Sequence, residues 1–214
     1  IMTRLLAALV ISCLAATAAE AADLESPERE PVLYVFAHQD DEYFILARLA
    51  RDVARGREVH AAWITDGGKR GSPERRNAES RAVLTRLGAR AEHLHFLGFP
   101  DHGAVEHLVE IHAALRELDR RLGFVEITTP AYEGGNIDHD VASLLGSLLA
   151  TRSPTRAQHV EFPLYTRYQG KARPRVFLPR ADAEVLYTPL DPADRALLRE
   201  ARRAYRSQRL VITV

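Results

Sequence analysis

Short apolar runs of strand length alternate with helically spaced segments along most of the chain. The first run, residues 32–37, is apolar throughout and indicates a strand buried on both faces. Residues 42–55 follow with apolar positions at helical spacing, and Gly56 is suited to end that helix. The same order then repeats, with strands predicted at 58–65, 93–97 and 124–129 and helices at 73–87, 105–122 and 139–150.

This alternation predicts the fold class. Strands separated by helices favour an α/β domain with a mostly parallel sheet and helices on both faces, and right-handed crossovers then restrict the topology. The order resembles a doubly wound, Rossmann-like fold. After Pro154 the pattern changes to strand-like pieces at 159–164, 175–178 and 185–190 and a last helix at 192–206.

The two ends of the chain differ from the rest in character. Residues 1–21 combine an early positive charge at Arg4, a short apolar run and small residues up to Ala21, which is typical of a secretory signal. The run is too short to span a bilayer, which takes about 20 apolar residues. We therefore expect a single domain at residues 28–214, exported to the periplasm or the extracellular space. Residues 210–214 are apolar and strand-like, which is consistent with a truncated reading frame.

Cys13 is the only cysteine and lies inside the signal-like run. The mature domain is therefore expected to have no internal disulfide, even if it is exported. Residues 10–13 also resemble a lipoprotein cleavage box, so a lipid anchor through Cys13 is an alternative to simple export. A retained amphipathic or disordered segment is a further alternative.

Composition and charge exclude one class of partner. The 214 residues carry 29 Lys and Arg against 29 Asp and Glu, which gives a formal charge of zero. No basic stripe with interleaved aromatic residues is present, so nucleic acid is not an expected partner. The sequence leaves the oligomeric state open.

A histidine and two aspartates directly follow the first predicted strand. Residues 38–42 read His-Gln-Asp-Asp-Glu, and the first helix begins among them. In an open α/β sheet, ligands bind at the carboxyl ends of the strands. A helix cap explains one carboxylate here, but not His38 followed by both Asp40 and Asp41. A turn can bring His38 and Asp41 to one point with Asp40 beside it, which favours a metal site.

A third metal ligand is expected at His139. Catalytic zinc takes three protein ligands and keeps the fourth position for water. His139 stands between the predicted strand 124–129 and the helix that follows, so it reaches the same edge of the sheet as His38. Asp138 is suited to orient a neighbouring side chain by accepting a hydrogen bond.

The other histidines are expected to be structural. Three lie on or beside predicted strands, where a hydrogen-bonded histidine is the default: His60, His93 and His95. The rest have no acidic partner at ligand spacing: His102, His107, His112 and His159.

These motifs resemble those of the PIG-L/LmbE family of zinc-dependent N-acetylglucosaminyl deacetylases. The first family motif, Ala-His-Pro-Asp-Asp-Glu, corresponds to Ala-His-Gln-Asp-Asp-Glu at residues 37–42, and the later motif, His-x-Asp-His, corresponds to Asn-Ile-Asp-His at 136–139. Further segments match in order and at similar spacing: residues 64–67, 76–79, 87–88 and 97–101. The similarity covers residues 32–150 well and the tail through 205–208 more loosely.

The resemblance implies a role for each matching residue. His38, Asp41 and His139 would hold one divalent ion, Zn²⁺ by family, and Asp40 would be the general base. Arg76 and Asp101 match positions that contact substrate, with Asp101 suited to sugar hydroxyls. The implied substrate is a small molecule or glycan that bears an N-acetyl group, of the N-acetylglucosamine type. The implied reaction removes the acetyl group, and the implied fold is Rossmann-like.

Two positions depart from the family motifs. Gln39 replaces proline, which is expected to change only the stiffness of the turn. Asn136 replaces the histidine thought to stabilise the oxyanion or assist the leaving amine. Asparagine donates a hydrogen bond but carries no mobile proton, so an active but slowed enzyme is expected.

Two alternative functions remain open at this stage. Because of Asn136, the domain is also compatible with a non-catalytic sugar-binding module. Two histidines and a carboxylate also suit Fe²⁺, so a mononuclear iron enzyme is a second alternative. Against iron, Asp40 has an evident role in hydrolysis and none in oxygen chemistry.

Overall fold

A computed structural model describes residues 30–168, 170–181, 184–210 and 212. The predicted signal segment 1–21, with Cys13, lies outside these residues. So do positions 211, 213 and 214 of the predicted strand-like end. Among the described residues, no helix has the length and apolar character needed to cross a bilayer.

The domain is built on a five-stranded parallel sheet in the order β3-β2-β1-β4-β5. Its strands are β1 (Pro31–Phe36), β2 (Glu58–Thr65), β3 (Leu94–Phe99), β4 (Glu126–Pro130) and β5 (Gln158–Phe162). The chain adds β2 and β3 on one side of β1, then returns to place β4 on the other side. The carboxyl ends of β1 and β4 therefore flank the point where the strand order reverses, which is where such sheets bind ligands.

In the described part of the chain, five α-helices connect or follow the strands. They are α1 (Leu46–Ala54), α2 (Pro73–Arg86), α3 (Leu108–Leu122), α4 (Ile137–Arg152) and α5 (Pro192–Ala204). Two predicted helices begin later than expected, because 3-10 turns at Asp41–Phe44 and Ala104–His107 precede α1 and α3. Helix α4 begins earlier than expected, so His139 lies within its first turn.

The central strand explains why helices cover both faces of the sheet. Every residue of β1 is buried, and alternate side chains enter two separate cores. Tyr34 and Phe36 pack with α1, α2 and α5, whereas Leu33 and Val35 pack with α3 and α4. Because a strand alternates its side chains between faces, a fully apolar strand needs a helical layer on each side. The predicted α/β, Rossmann-like, single-domain fold is confirmed.

Helix α4 approaches β4 closely enough to require glycine at one contact. A Cβ on Gly146 would lie 2.1 Å from Cγ2 of Thr129, so any larger residue there pushes the helix away from the strand. This contact lies along the helix whose first turn carries His139. The close packing of α4 on β4 therefore helps to position His139 at the carboxyl edge of the sheet.

The strands predicted at 175–178 and 185–190 are not formed. The chain instead makes an antiparallel hairpin of β6 (Tyr165–Tyr168) and β7 (Lys171–Pro174). Arg175 has φ 57°, a left-handed conformation that ends β7. Leu186 and Tyr187 are 79% and 89% exposed, so the apolar pattern of 185–190 has no buried surface to pair with.

Candidate metal centre

His38 and Asp41 lie in the turn that follows β1. The Asp41 carboxylate folds back on this turn, where its Oδ2 accepts backbone hydrogen bonds from Ala37 N at 3.0 Å and His38 N at 2.8 Å. Oδ2 also lies 3.8 Å from Nδ1 of His38. The tight turn therefore presents one imidazole and one carboxylate to the same point.

His139 reaches this point from the first turn of α4. Its Nε2 lies 3.2 Å from Nδ1 of His38 and 3.3 Å from Oδ1 of Asp41. All three residues are buried, and their ligand atoms lie within 4.8 Å of one another. The structure thus brings together the three residues predicted to hold a metal ion.

The outer side of the His38 ring faces two more carboxylates. Its Nε2 lies 3.1 Å from Oδ2 of Asp138 and 3.4 Å from Oδ1 of Asp101. Asp138 is itself fixed by the backbone N–H groups of His102, at 2.7 Å, and Ala104, at 3.2 Å. A proton on Nε2 is therefore stabilised, and the lone pair of the neutral ring is directed from Nδ1 towards Asp41 and His139.

The donor set of the centre fits a divalent cation. Burial opposes a charge on His38, but its hydrogen bonds to Asp101 and Asp138 and the charge of Asp41 outweigh it and raise the His38 pKa to about 10. The Asp41 pKa falls to about 2, because His139 and His38 overcome the effect of burial. The buried carboxylates thus require positive charge. A divalent ion would supply that charge in place of protons on the ring nitrogens, which are ligands of the kind that zinc prefers.

Asp40 stands beside the three ligands in a strained backbone conformation. Its φ of 146° and ψ of −17° are rarely adopted by an L-amino acid. Its backbone N donates to Oε2 of Glu42 at 3.0 Å, which holds the turn in place. Burial and the charge of Asp41 raise the Asp40 pKa to about 7, although Arg76 opposes the rise. A carboxylate with such a pKa is suited to exchange protons at neutral pH.

Arg76 and Asp101 both contact residues of the candidate metal centre, Arg76 through Asp40 and Asp101 through His38. The Arg76 guanidinium is 2% exposed and donates to Oδ1 of Asp40 at 2.9 Å and to the carbonyl oxygens of Gln39 and Gly67, each at 2.8 Å. The Asp101 side chain is 5% exposed, and its Oδ2 accepts from Lys69 N. Contact of either residue with substrate stays a prediction.

The two residues that depart from the family motifs have defined places. Asn136 is the N-cap of α4, and its Oδ1 accepts a hydrogen bond from Asp138 N at 2.8 Å. Gln39 is 1% exposed and its Nε2 donates to the carbonyl oxygen of Thr65 and to Oδ1 of Asn77. Gln39 therefore links the turn to neighbouring elements, in addition to any change in stiffness.

Sequence reasoning missed the buried supports of Glu42. Its Oε2 also accepts from Nε1 of Trp63 at 3.0 Å, and its Oε1 accepts from the hydroxyl of Tyr205 at 2.8 Å. Burial raises the Glu42 pKa. The partners come from β2 and from the end of α5, and only the position of Glu42 at the end of the first motif signalled its importance.

The fold and the centre together define a class: Rossmann-like α/β domains with two histidines and one aspartate at the switch point of the sheet. A sequence profile described as PIG-L, GlcNAc-PI de-N-acetylase, matches residues 33–149. The chain belongs to this family.

Solved structures of deacetylases share the fold. The A40926 pseudoaglycone deacetylase superposes with a TM-score of 0.65 at 19% identity, covering 86% of this chain and 85% of the other. A deacetylase from the biosynthesis of teicoplanin gives 0.63 at 17% identity and 86% coverage of each chain. The N,N'-diacetylchitobiose deacetylase of Pyrococcus horikoshii gives 0.59 at 17% identity, covering 88% of this chain and 74% of the other. A search of curated proteins finds no match.

Proposed function

We propose that this protein is a zinc-dependent hydrolase that removes the acetyl group from an N-acetylated amino sugar. The observation that carries the proposal is the convergence of His38, Asp41 and His139 within 4.8 Å of one another, beside the carboxylate of Asp40, which Arg76 holds in place. Membership of a de-N-acetylase family supports the same reaction. The substrate class, an N-acetylated amino sugar, is inferred from the family.

His38, Asp41 and His139 would hold the ion, and the fourth position would be open. When bound, a divalent ion lowers the pKa of water from about 15.7 towards 7 and polarises the amide carbonyl. Asp40 then accepts the proton of the attacking water as the new C–O bond forms. The C–N bond breaks as Asp40 returns that proton to the departing amine. The products are acetate and the free amino sugar.

Asn136 accounts for a slower reaction than a histidine at this place would give. Its Oδ1 is engaged in capping α4, which leaves the amide NH₂ as the group that donates to a developing oxyanion. A neutral amide stabilises negative charge through one hydrogen bond but supplies no proton. We propose a rate reduced roughly ten- to a thousandfold, the range seen when an oxyanion donor is imperfect.

The experiment that tests the function is acetate release from N-acetylglucosamine-containing compounds by the zinc-loaded protein. Asp40→Asn is the blank, because it keeps the shape of the base and removes its charge. Glu110→Gln, which changes an exposed carboxylate on α3, is the matched control and is expected to retain activity. Substrate binding without acetate release would favour the sugar-binding module.

The native metal is a separate part of the proposal. We propose zinc over iron because the adjacent Asp40 serves hydrolysis. Metal analysis of protein purified without added metal, followed by reconstitution with Zn²⁺ or Fe²⁺, tests the choice. Acetate release that appears with Fe²⁺ and not with Zn²⁺ would overturn it.

We propose export for this protein because residues 1–21 have the features of a secretory signal. An exported enzyme would meet an envelope or extracellular glycan as its N-acetylated substrate. Cell fractionation and sequencing of the mature amino terminus test this proposal. A mature chain that begins at a lipid-modified Cys13 would support the anchored alternative, and an unprocessed internal chain would exclude both.

A further inference from the structure

A second group of ionisable side chains lies at the opposite edge of the sheet from the candidate metal centre. Glu58 and His60 begin β2, and His93 and His95 stand at the beginning of β3. Because β2 and β3 are parallel neighbours in the register Ala61↔Leu94, the four side chains lie on one face of the two strands. We call this group the amino-edge cluster.

Two histidines of the amino-edge cluster, His60 and His93, face the carboxylate of Glu58. Oε1 of Glu58 lies 3.3 Å from Nε2 of His60 and 3.7 Å from Nε2 of His93. The ligand atoms of these three residues all lie within 4.8 Å of one another. Two ligand atoms of a tetrahedral zinc site are about 3.3 Å apart, because each lies about 2.0 to 2.1 Å from the ion. The two distances from Glu58 Oε1 are therefore close to the ligand spacing of a zinc site.

The fourth member fixes the orientation of the central ring. Nδ1 of His60 lies 3.2 Å from Nε2 of His95, so a hydrogen bond on this side leaves Nε2 directed at Glu58. A hydrogen-bond partner on the other ring nitrogen holds a ligating histidine in one tautomer, and we assign that role to His95. His60 is 2% exposed and its ring also packs against Phe124, so it has little freedom to turn away.

Two histidines of the amino-edge cluster, His60 and His95, have lowered pKa values. Burial and the neighbouring His93 lower the His60 pKa to about 4, although Glu58 opposes the shift. Burial also lowers the His95 pKa, with help from His93 and Arg121.

We propose that Glu58, His60 and His93 bind one divalent transition-metal ion of the zinc class, at a site separate from the candidate metal centre. The ligands join the beginning of β2 to the beginning of the edge strand β3. Because the site lies at the amino edge, away from the substrate crevice, its role is structural. An ion there adds a cross-link between two strands that already meet through backbone hydrogen bonds and through the contact of His60 with His95.

The geometry also limits how the ion is bound. The rings of His60 and His93 are stacked at 3.9 Å with an interplanar angle of 19°, so His93 has to turn for both nitrogens to point at one ion. A cleft of about 250 Å³ lined by Glu58 and His93 gives room for this turn and a path for the ion. We therefore expect weaker binding here than at the candidate metal centre.

The charges around the cleft leave the site accessible to a cation. Arg57 and Arg90 line the cleft, but both are paired with carboxylates. Arg57 contacts Glu126 at 3.2 Å and Asp52 at 3.4 Å, and Arg90 contacts Glu92 at 2.6 Å. Nitrogen ligands select zinc-class ions over magnesium, which prefers oxygen.

The test is to count the zinc ions held by the untagged protein after dialysis against buffered micromolar zinc. The native protein is expected to hold two ions per chain, and His93→Gln and His139→Gln are each expected to hold one. The double variant is expected to hold none. His112→Gln is the matched control, since His112 lies on α3 outside both clusters, and it is expected to hold two.

Glu58→Gln provides a second variant in case His93→Gln fails to fold. Glutamine keeps the size of the Glu58 side chain and removes its charge, and zinc affinity at this site is expected to fall at least tenfold. Zinc is also expected to raise the unfolding temperature of His139→Gln, an effect that His93→Gln in the same background abolishes. The proposal is overturned if His139→Gln binds no zinc, or if Glu58→Gln binds it as tightly as the native protein.

Discussion

Arg76 donates a hydrogen bond through Nη2 to Oδ1 of Asp40 at 2.9 Å, and both side chains are almost fully buried. The same nitrogen donates to the carbonyl oxygen of Gln39. The guanidinium therefore fixes both the turn that follows β1 and the Asp40 carboxylate within that turn. It also offsets part of the rise in the Asp40 pKa that burial and Asp41 produce.

Replacing Arg76 by glutamine is expected to move the pH dependence of acetate release. Loss of the positive charge raises the Asp40 pKa further, so a larger fraction of the base is protonated at neutral pH. The rising limb of the rate profile should shift to higher pH by about one unit or more. Arg75→Gln is the control, because Arg75 lies on the same helix but its side chain is 57% exposed. If the rising limb of the rate profile is unchanged in Arg76→Gln, the group whose titration limits the rate is not Asp40.

Asn136→His is expected to raise turnover by roughly ten- to a thousandfold, because the imidazolium both stabilises the oxyanion and protonates the amine. The change also removes the cap that Asn136 provides for Asp138 N, which costs about 1 kcal/mol of stability. Asn136→Ser keeps a capping oxygen without an imidazole and serves as the control. Turnover by the histidine variant that does not exceed turnover by the native protein would show that this position is not limiting.

Asp138→Asn is expected to weaken zinc binding at the candidate metal centre by roughly ten- to a hundredfold. The carboxylate accepts from His38 Nε2 and from two backbone N–H groups, and an amide replaces one acceptor by a donor. Zinc competition with a chelating dye measures the change. Asp140→Asn, on the same helical turn, is expected to bind zinc with native affinity.

Glu133 makes the stability of the domain depend on pH. Burial, with the charges of Asp140 and Glu161, raises its pKa from 4.5 to about 7, although backbone N–H groups oppose the rise. Between these values the folded protein holds a proton that the unfolded chain has lost, so the free energy of unfolding falls as pH rises from 4.5 to 7. The effect is at most roughly 3.5 kcal/mol, since one pKa unit is about 1.4 kcal/mol.

Glu133→Gln is expected to remove this dependence, because glutamine still accepts the hydrogen bond from Leu164 N and carries no proton to lose. Urea unfolding at pH 5 and at pH 8 measures the difference. Glu110→Gln is the control and is expected to keep the native slope. If Glu133→Gln loses stability between pH 5 and pH 8 as steeply as the native protein, groups other than Glu133 cause the pH dependence.

The order of strands and helices was readable from the sequence because the core strands are continuous apolar runs. The residues of β2, from Glu58 to Thr65, were predicted with the same bounds that the structure has. The hairpin of β6 and β7 was missed because neither strand joins the main sheet. The short strands of the hairpin have no apolar run in their sequence that would predict a strand. Leu186 and Tyr187 lie in an apolar run that predicted a strand, but both side chains are exposed.

The candidate metal centre was predictable in its members but not in its supports. His38, Asp41 and His139 share a sequence signal, since each stands where a buried strand gives way to a helix. The Tyr205 hydroxyl reaches Glu42 across 163 positions of sequence, and nothing local to either residue indicates this. The amino-edge cluster had a local signal in the Glu-x-His at the start of β2 and in the His-x-His that spans the turn before β3 and its second residue. That signal acquires meaning only once the register places the two strands side by side.

The nitrogen atoms of His38 and His139 that face each other belong to residues 101 positions apart. During synthesis, a chain that has exposed only the first strand and its turn holds no more than part of the centre. The three candidate ligands can therefore come together only after β4 has docked and α4 has begun. Capture of the ion in a growing or refolding chain would report that the two halves of the sheet have joined.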